Sequence, residues 1–211
     1  MPWLTAGPCA PTVLSTIGTF GATGLAYDPV NHVLGFAGLM NNADNGVFFA
    51  NGDCSSPTAP VSLGPAAGDT VPTATFAGAG DILVYATIPL PGNDEAPVIY
   101  RVQETGTKMS GFTTFQGVNA EQAGATSLFL SGPDAVAIGD LSTGAIEGYS
   151  PAINATTGVL DSSVSPNPFT FIPAGAMFLI PESAEQPSAG SLVVFGNTDT
   201  TANVTVLTGV P

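Results

Sequence analysis

Hydrophobic and polar positions alternate with period two through most of this chain, and runs of Gly and Pro interrupt the alternation every few residues. Leu25 and Tyr27 alternate with small residues, Asp28-Pro29 starts a turn, and Val33-Leu34-Gly35-Phe36 resumes an extended run. That is a strand, a tight reversal and a second strand. The pattern predicts four groups of strands. Gly24–Tyr27, Val33–Leu39, Gly46–Ala50 and Val61–Leu63 form the first. Thr73–Ala77, Asp81–Ile88, Pro97–Val102 and Gly111–Phe115 form the second. Ser127–Leu130, Ala135–Gly139, Ala145–Tyr149 and Phe169–Ile172 form the third. The fourth group has three, Ala176–Ile180, Ser191–Phe195 and Asn203–Leu207.

Aligning Leu25, Ala74, Ser127 and Ala176 spaces the groups by 49, 53 and 49 residues, a period typical of stacked supersecondary units. The expected fold is all-β: a single domain over residues 1–211, built as a small β-propeller of about four four-stranded blades. The repeats run approximately over 21–66, 70–117, 123–172 and 174–211. The fourth is one strand short, and Thr12–Ile17 is a strand without a hairpin partner, so residues 12–17 are expected to close the last blade. A β-sandwich or jelly roll is the alternative architecture. The apolar runs Ile82–Tyr85 and Leu192–Phe195 suggest strands covered on both faces. Alternation predicts a buried set of Leu25, Tyr27, Leu34, Phe36, Phe76, Leu83, Tyr85, Leu128, Val136, Phe178, Val193 and Phe195. Helix is expected to be minor, because the 26 Gly and 19 Pro leave few windows for it.

Gly24-Leu25-Ala26-Tyr27-Asp28-Pro29 followed by Val33-Leu34-Gly35-Phe36-Ala37 resembles the inner hairpin of extracellular β-propeller repeats of the NHL or YVTN type. The later groups keep the hydrophobic rhythm without the Asp-Pro. The resemblance implies a ligand or partner face around a central axis and carries over no functional residues.

Charge narrows the class of partner. Sixteen acids face two bases, Arg101 and Lys108, for a formal net charge of −14. That excludes nucleic acid and anionic membrane surfaces as partners. Only 9% of residues are charged, against about a quarter in ordinary domains. Such a surface suits a secreted or surface-displayed protein in acidic surroundings. No run reaches the length of a membrane span, so membrane insertion is not expected. Met1–Thr5 lacks the basic and apolar regions of a signal peptide, so a secreted protein would be represented here by a mature form or a fragment.

Candidate chemistry is sparse. His32 is the single imidazole and sits in a turn, without a nucleophile elbow elsewhere to serve. The acid pairs Asp94-Glu95 and Glu182 with Glu185 fall in Pro- and Gly-rich stretches expected to be connections. Asn41–Gly46 with Asn51-Gly52-Asp53 is rich in oxygen ligands but lacks the spacing of a calcium loop, and a hairpin turn is the preferred reading. No catalytic residue, metal ligand or cofactor is therefore assigned. Asn154-Ala155-Thr156 and Asn203-Val204-Thr205 match the glycosylation sequon, at Asn154 and Asn203. The expected function is a non-catalytic extracellular or cell-surface structural or adhesive protein that self-associates into a surface assembly or filament. The alternative is a carbohydrate- or small-ligand-binding propeller module.

Cys9 and Cys54 are the only cysteines. A disulfide between them would pin the N-terminal segment to the end of the first repeat and suits an oxidising compartment. Its closure should stabilise the fold by about 3–4 kcal/mol. Thiol titration of the denatured protein should find no reactive thiol; two would refute the pairing.

Overall fold

The computed structural model describes residues 20–67, 72–78, 80–91, 95–106, 124–131, 134–140, 148–150, 152–154, 163, 169–171, 180–188, 191–197 and 202–208. These form antiparallel sheets throughout. The first is a meander of β1 (Phe20–Asp28), β2 (Val33–Met40), β3 (Asp44–Asn51) and β4 (Val61–Pro65). The second holds β5 (Thr73–Gly78), β6 (Asp81–Pro89) and β7 (Glu95–Gln103). In the third, β8 (Gly124–Ser131) pairs with β9 (Asp134–Asp140), whose other edge takes β10 (Gly148–Ser150) and β11 (Ala152–Asn154) in succession; β12 (Phe169–Phe171) lies beyond β10. The last sheet orders β13 (Ile180–Ser188), β14 (Ser191–Asn197) and β15 (Ala202–Thr208). The opening strands β1, β5, β8 and β13 lie one against the next, so the sheets stack in chain order. The described residues do not show a closed ring. The expected strands Thr12–Ile17 and Gly111–Phe115 lie outside them.

Three of the opening strands carry a bulge near their start, between Ala22 and Gly24, Ala125 and Ser127, and Pro181 and Ser183. A bulge adds twist and kinks the strand locally. Its recurrence makes Gly24, Ser127 and Ser183 equivalent positions. Of the fourth group's first expected strand, Ala176–Ile180, residues 176–179 lie outside the described residues; the described opening strand runs over Ile180–Ser188. The register ending at Ser188↔Ser191 closes a tight hairpin onto the apolar strand β14, and that pairing outweighs the poor strand propensity of Pro-Glu-Ser-Ala-Glu-Gln-Pro-Ser. Glu182 and Glu185 consequently lie in a strand, and Glu95 opens β7, where connections were expected.

The core is divided by β6, which is buried along residues 81–87. Ile82, Val84 and Ala86 pack with residues of the first sheet, and Leu83 and Tyr85 pack with Ile99, Leu128 and Ala135 of the second and third. An unbroken apolar run is what a strand covered on both faces requires.

The face of the first sheet turned to β5 and β6 is small at β1 and grows outward. Cross-strand rows read Gly24–Ala37–Val47 and Ala26–Gly35–Phe49. A Cβ on Gly24 would lie 2.7 Å from the backbone nitrogen of Ala74. The two sheets therefore nearly touch at their opening strands and diverge toward β3, where larger side chains fill the wedge. The phase of β1 follows: Leu25, 58% exposed, and Tyr27, 44% exposed, face away from the core, contrary to expectation. Leu34, Phe36, Phe76 and Val193 are half-buried, while Leu83, Tyr85 and Leu128 are buried as expected. The side chains of Val136, Phe178 and Phe195 lie outside the described set. On the outer face Phe36 stacks on Phe48 with ring centroids 4.6 Å apart, and Phe20 meets Phe48 edge-on at 5.0 Å.

Polar ties hold the two sheets at the end away from the β1–β2 turn. The buried Asn45 donates to Thr87 O at 2.8 Å and to Pro65 O at 3.2 Å, and Thr23 Oγ1 donates to Pro72 O at 2.6 Å. Among described residues no helix is long and apolar enough to cross a membrane.

Three substitutions test this packing by chemical denaturation. Leu83→Ala should cost about 2–5 kcal/mol. Leu25→Ala should stay within about 1 kcal/mol, as for exposed positions. Gly24→Ala, which adds one methyl, should cost about 1–3 kcal/mol through the β1–β5 contact. A Leu25→Ala loss as large as that of Leu83→Ala would invert the assigned phase of β1.

Candidate functional site

Because Gly24 and Ala26 face the second sheet, Asp28 at the end of β1 does too, and it is 1% exposed. Its Oδ1 accepts the amides of Val30 at 2.7 Å and Asn31 at 3.1 Å, the side-chain-capped turn that Asp before Pro favours. Oδ2 accepts Asn31 Nδ2 at 2.8 Å. The turn ends on His32 at φ 56°, an uncommon conformation for a residue with a side chain. His32 is exposed, its Nδ1 pairs with the Tyr27 hydroxyl at 2.8 Å, and its carbonyl accepts the Gly52 amide.

Glu104, in the turn after β7, reaches this cluster from the second sheet. Its amide donates to Gly80 O at 2.9 Å, and its Oε2 accepts Asn31 Nδ2 at 3.4 Å. Asn31 Nδ2 thus bridges the two carboxyls, while Glu104 Oε1 is buried without a hydrogen-bond partner. Burial, the hydrogen bond to Asp28 and the charge of Asp28 together push Glu104 up to about 7. Burial opposes ionisation of Asp28 as well, but the hydrogen bonds from Glu104, Val30 and Asn31 outweigh it and hold that carboxyl below its ordinary value. The two shifts run in opposite directions, so of the two acids Glu104 is the one that holds a proton more readily. Beside them Arg101 donates through Nε and Nη2 to Asp81 Oδ2, each at 2.6 Å.

Glu104 also lines a small open cleft of about 110 Å³ with Asn51, Ser56 and Thr58 over Val33 and Phe49. The loop that walls it is folded on itself: Asn51 Nδ2 donates to Ser55 Oγ at 2.8 Å and the Ser55 amide to Asp53 Oδ1 at 2.9 Å. The Ser55 hydroxyl and amide hold the Asp53 carboxyl below its ordinary value. Cys54 and Ser56 both have positive φ, at 63° and 51°. Cys54 is buried and half of a disulfide. Cys9 lies outside the described residues.

The two oxygen-rich stretches considered for calcium sit at opposite ends of β3, roughly 20 Å apart for eight residues, so they cannot meet on one ion. Asp44 instead accepts the Ser62 hydroxyl. Among described residues no group of three His, Cys, Asp or Glu is placed to hold a metal. Asn154 is half-buried in β11, and Asn203 lies in β15. Asp94 is outside the described residues. Sequence reasoning did not find Glu104: its contact with Asn31 spans 73 positions, and only the sheet stacking creates it.

No protein-family profile and no curated protein matches the sequence. Among solved structures the chain is similar to TolB from Acinetobacter baumannii, at 12% identity and TM-score 0.55 over 90% of this chain and 41% of that one. It is also similar to a GH43_1 enzyme from Xanthomonas citri, at 9% identity and TM-score 0.51 over 92% of this chain and 74% of that one. Both are β-propeller proteins. The chain spans about two fifths of the TolB chain, and at these identities the likeness speaks for the fold alone.

Removing Arg101 should leave Asp81 buried and unpaired. Arg101→Met is expected to cost about 3–5 kcal/mol in denaturant unfolding, and Asp81→Leu added to it should restore most of the loss. No recovery in the double variant would mean the arginine acts through packing instead. The chain is accordingly an all-β protein whose stacked antiparallel sheets are similar to those of β-propeller proteins.

Proposed function

We propose that this chain is a non-catalytic extracellular structural or adhesive subunit, of small β-propeller type, that joins copies of itself head to tail. The observation that carries the reading is that both ends of the sheet stack present apolar side chains to solvent. On the first sheet these are Leu25 and Tyr27; on the last, Val204, 62% exposed, and Val206, 63% exposed. Val204 and Val206 stand opposite Phe195 and Val193 on β14, so they belong to one apolar register face. Contact between two different ends is a heterologous joint, which propagates unless the rotation closes it.

The outer edge of β15 has no strand partner among the described residues. Thr12–Ile17, outside those residues, is the strand we expect there. Donated by a neighbouring copy it links subunits; kept in its own chain it closes the ring. The chain's few charges limit the desolvation cost of such a joint.

The carboxyl pair does not have the arrangement of a glycoside hydrolase's two acids. A glycoside hydrolase needs its two carboxyls about 5–9.5 Å apart to admit the sugar carbon or a water between them. Asp28 and Glu104 instead crowd around a single donor, Asn31 Nδ2, at 2.8 and 3.4 Å. One structural neighbour is nevertheless an enzyme, so the cleft beside Glu104 is the place to test a small-ligand alternative.

Light scattering over a concentration series should give masses above that of one chain. Added salt should increase association by screening the −14 net charge. Val204→Glu with Val206→Glu should shift the distribution to single chains without loss of thermal stability. A wild-type protein that remains single at every concentration and salt level overturns the assembly.

A further inference from the structure

We propose that Asp28 and Glu104 form a proton-bridged latch between the first and second sheets, closed in mildly acidic surroundings and released when Glu104 loses its proton. The two carboxyls come from different sheets, one from the β1–β2 turn and one from the turn after β7. Asn31 Nδ2 reaches both. Asp28 is committed as an acceptor to three donors from Val30 and Asn31, so its ionised form is the one this turn requires. Glu104 then faces an existing negative charge, with Oε1 closed off from water and unpaired. An ionised Glu104 in that position would combine like-charge repulsion with an unsolvated oxygen, whereas a protonated one carries no charge and gains a hydroxyl able to donate to Asp28.

The surrounding groups do not relieve the repulsion. Asp81 on β6 adds negative charge toward Glu104, and Arg101 on β7 is engaged with Asp81. His32 lies in the same turn as Asp28 and is bonded to Tyr27. At the far end the sheets are tied by Asn45, Thr87 and Thr23, whose bonds carry no titrating group. Loosening is therefore confined to the end holding the cleft and the loop at residues 51–58.

The sign follows from the two shifts. Glu104 titrates higher in the folded chain, at about 7, than unfolded, so its contribution is complete below its ordinary value near 4.5 and is lost as pH rises through 7. Asp28 titrates lower when folded, so its contribution is lost only as pH falls below the ordinary carboxylate range. The latch is strongest between those limits. The folded-to-unfolded ratio should fall by at most on the order of a hundredfold from pH 4.5 to 8, the partial exposure of Glu104 reducing it further.

The carboxyl carbon of Glu104, followed by NMR in labelled protein, should titrate with a midpoint near 7; a midpoint below 5 overturns the latch. Amide exchange at Val30, Asn31 and Glu104, corrected for intrinsic pH dependence, should accelerate above pH 7 in the wild type. Glu104→Gln, which keeps the hydrogen bond without the charge, should abolish that acceleration. His32→Gln should preserve it, separating the carboxyl from the imidazole in the same turn. Acceleration that persists in Glu104→Gln and vanishes in His32→Gln assigns the response to the histidine and refutes the proposal. Should Glu104→Gln fail to fold, the wild-type carbon titration still decides.

Discussion

The contact between β1 and β5 sets the terms for the rest of the molecule. Gly24 leaves no room for a side chain against Thr73 and Ala74, so the opening strands of the first two sheets approach backbone to backbone. Such an approach is available only to a strand whose facing positions are glycine, alanine or a short polar residue. With Gly24 and Ala26 inward, period-two alternation forces Leu25 and Tyr27 outward and carries Asp28 inward. One steric constraint thus produces a tapered core, an apolar outer row and a buried carboxylate.

That carboxylate links fold to chemistry. A buried Asp is tolerable only when its oxygens are bonded, and the amides of Val30 and Asn31 do this locally. The second sheet then brings Glu104 to the same place. The result is an acid that burial and a neighbouring carboxylate push up to about 7, in a chain whose other charges are few. Ion pairs are correspondingly rare: Arg101 with Asp81 is the one salt bridge among the described residues. The sheets depend instead on close packing, backbone pairing and neutral side-chain bonds such as those of Asn45 and Thr87. Interactions of that kind do not weaken with salt.

The same tapering explains why the ends of the stack matter. Within the stack each apolar face finds a neighbouring sheet, as Ile82 and Leu83 do on the two sides of β6. At Leu25 and at Val204 the described stack runs out of neighbours while the apolar pattern continues. Repeat architectures meet this problem by closure, capping or polymerisation.

Much of this was legible in the chain itself. Alternation and Gly/Pro punctuation determine that it is all-β, and they locate nearly every described strand within a few residues. The unbroken run Ile82–Tyr85 identifies a strand covered on both faces, because only such a strand can dispense with polar positions. Alternation alone, however, assigns the larger residues to the core, and at β1 packing overrides it: a close sheet–sheet approach selects Gly24 and Ala26 over Leu25 and Tyr27. The start of the last sheet was likewise decided by hairpin register, since Pro181 and Pro187 disguise a strand that β14 holds by pairing. The carboxyl pair was invisible for a further reason. Asp28 reads as an ordinary turn residue and Glu104 as a solvated one until the stacking of two sheets, a long-range event without local signature, brings Asn31 within reach of both.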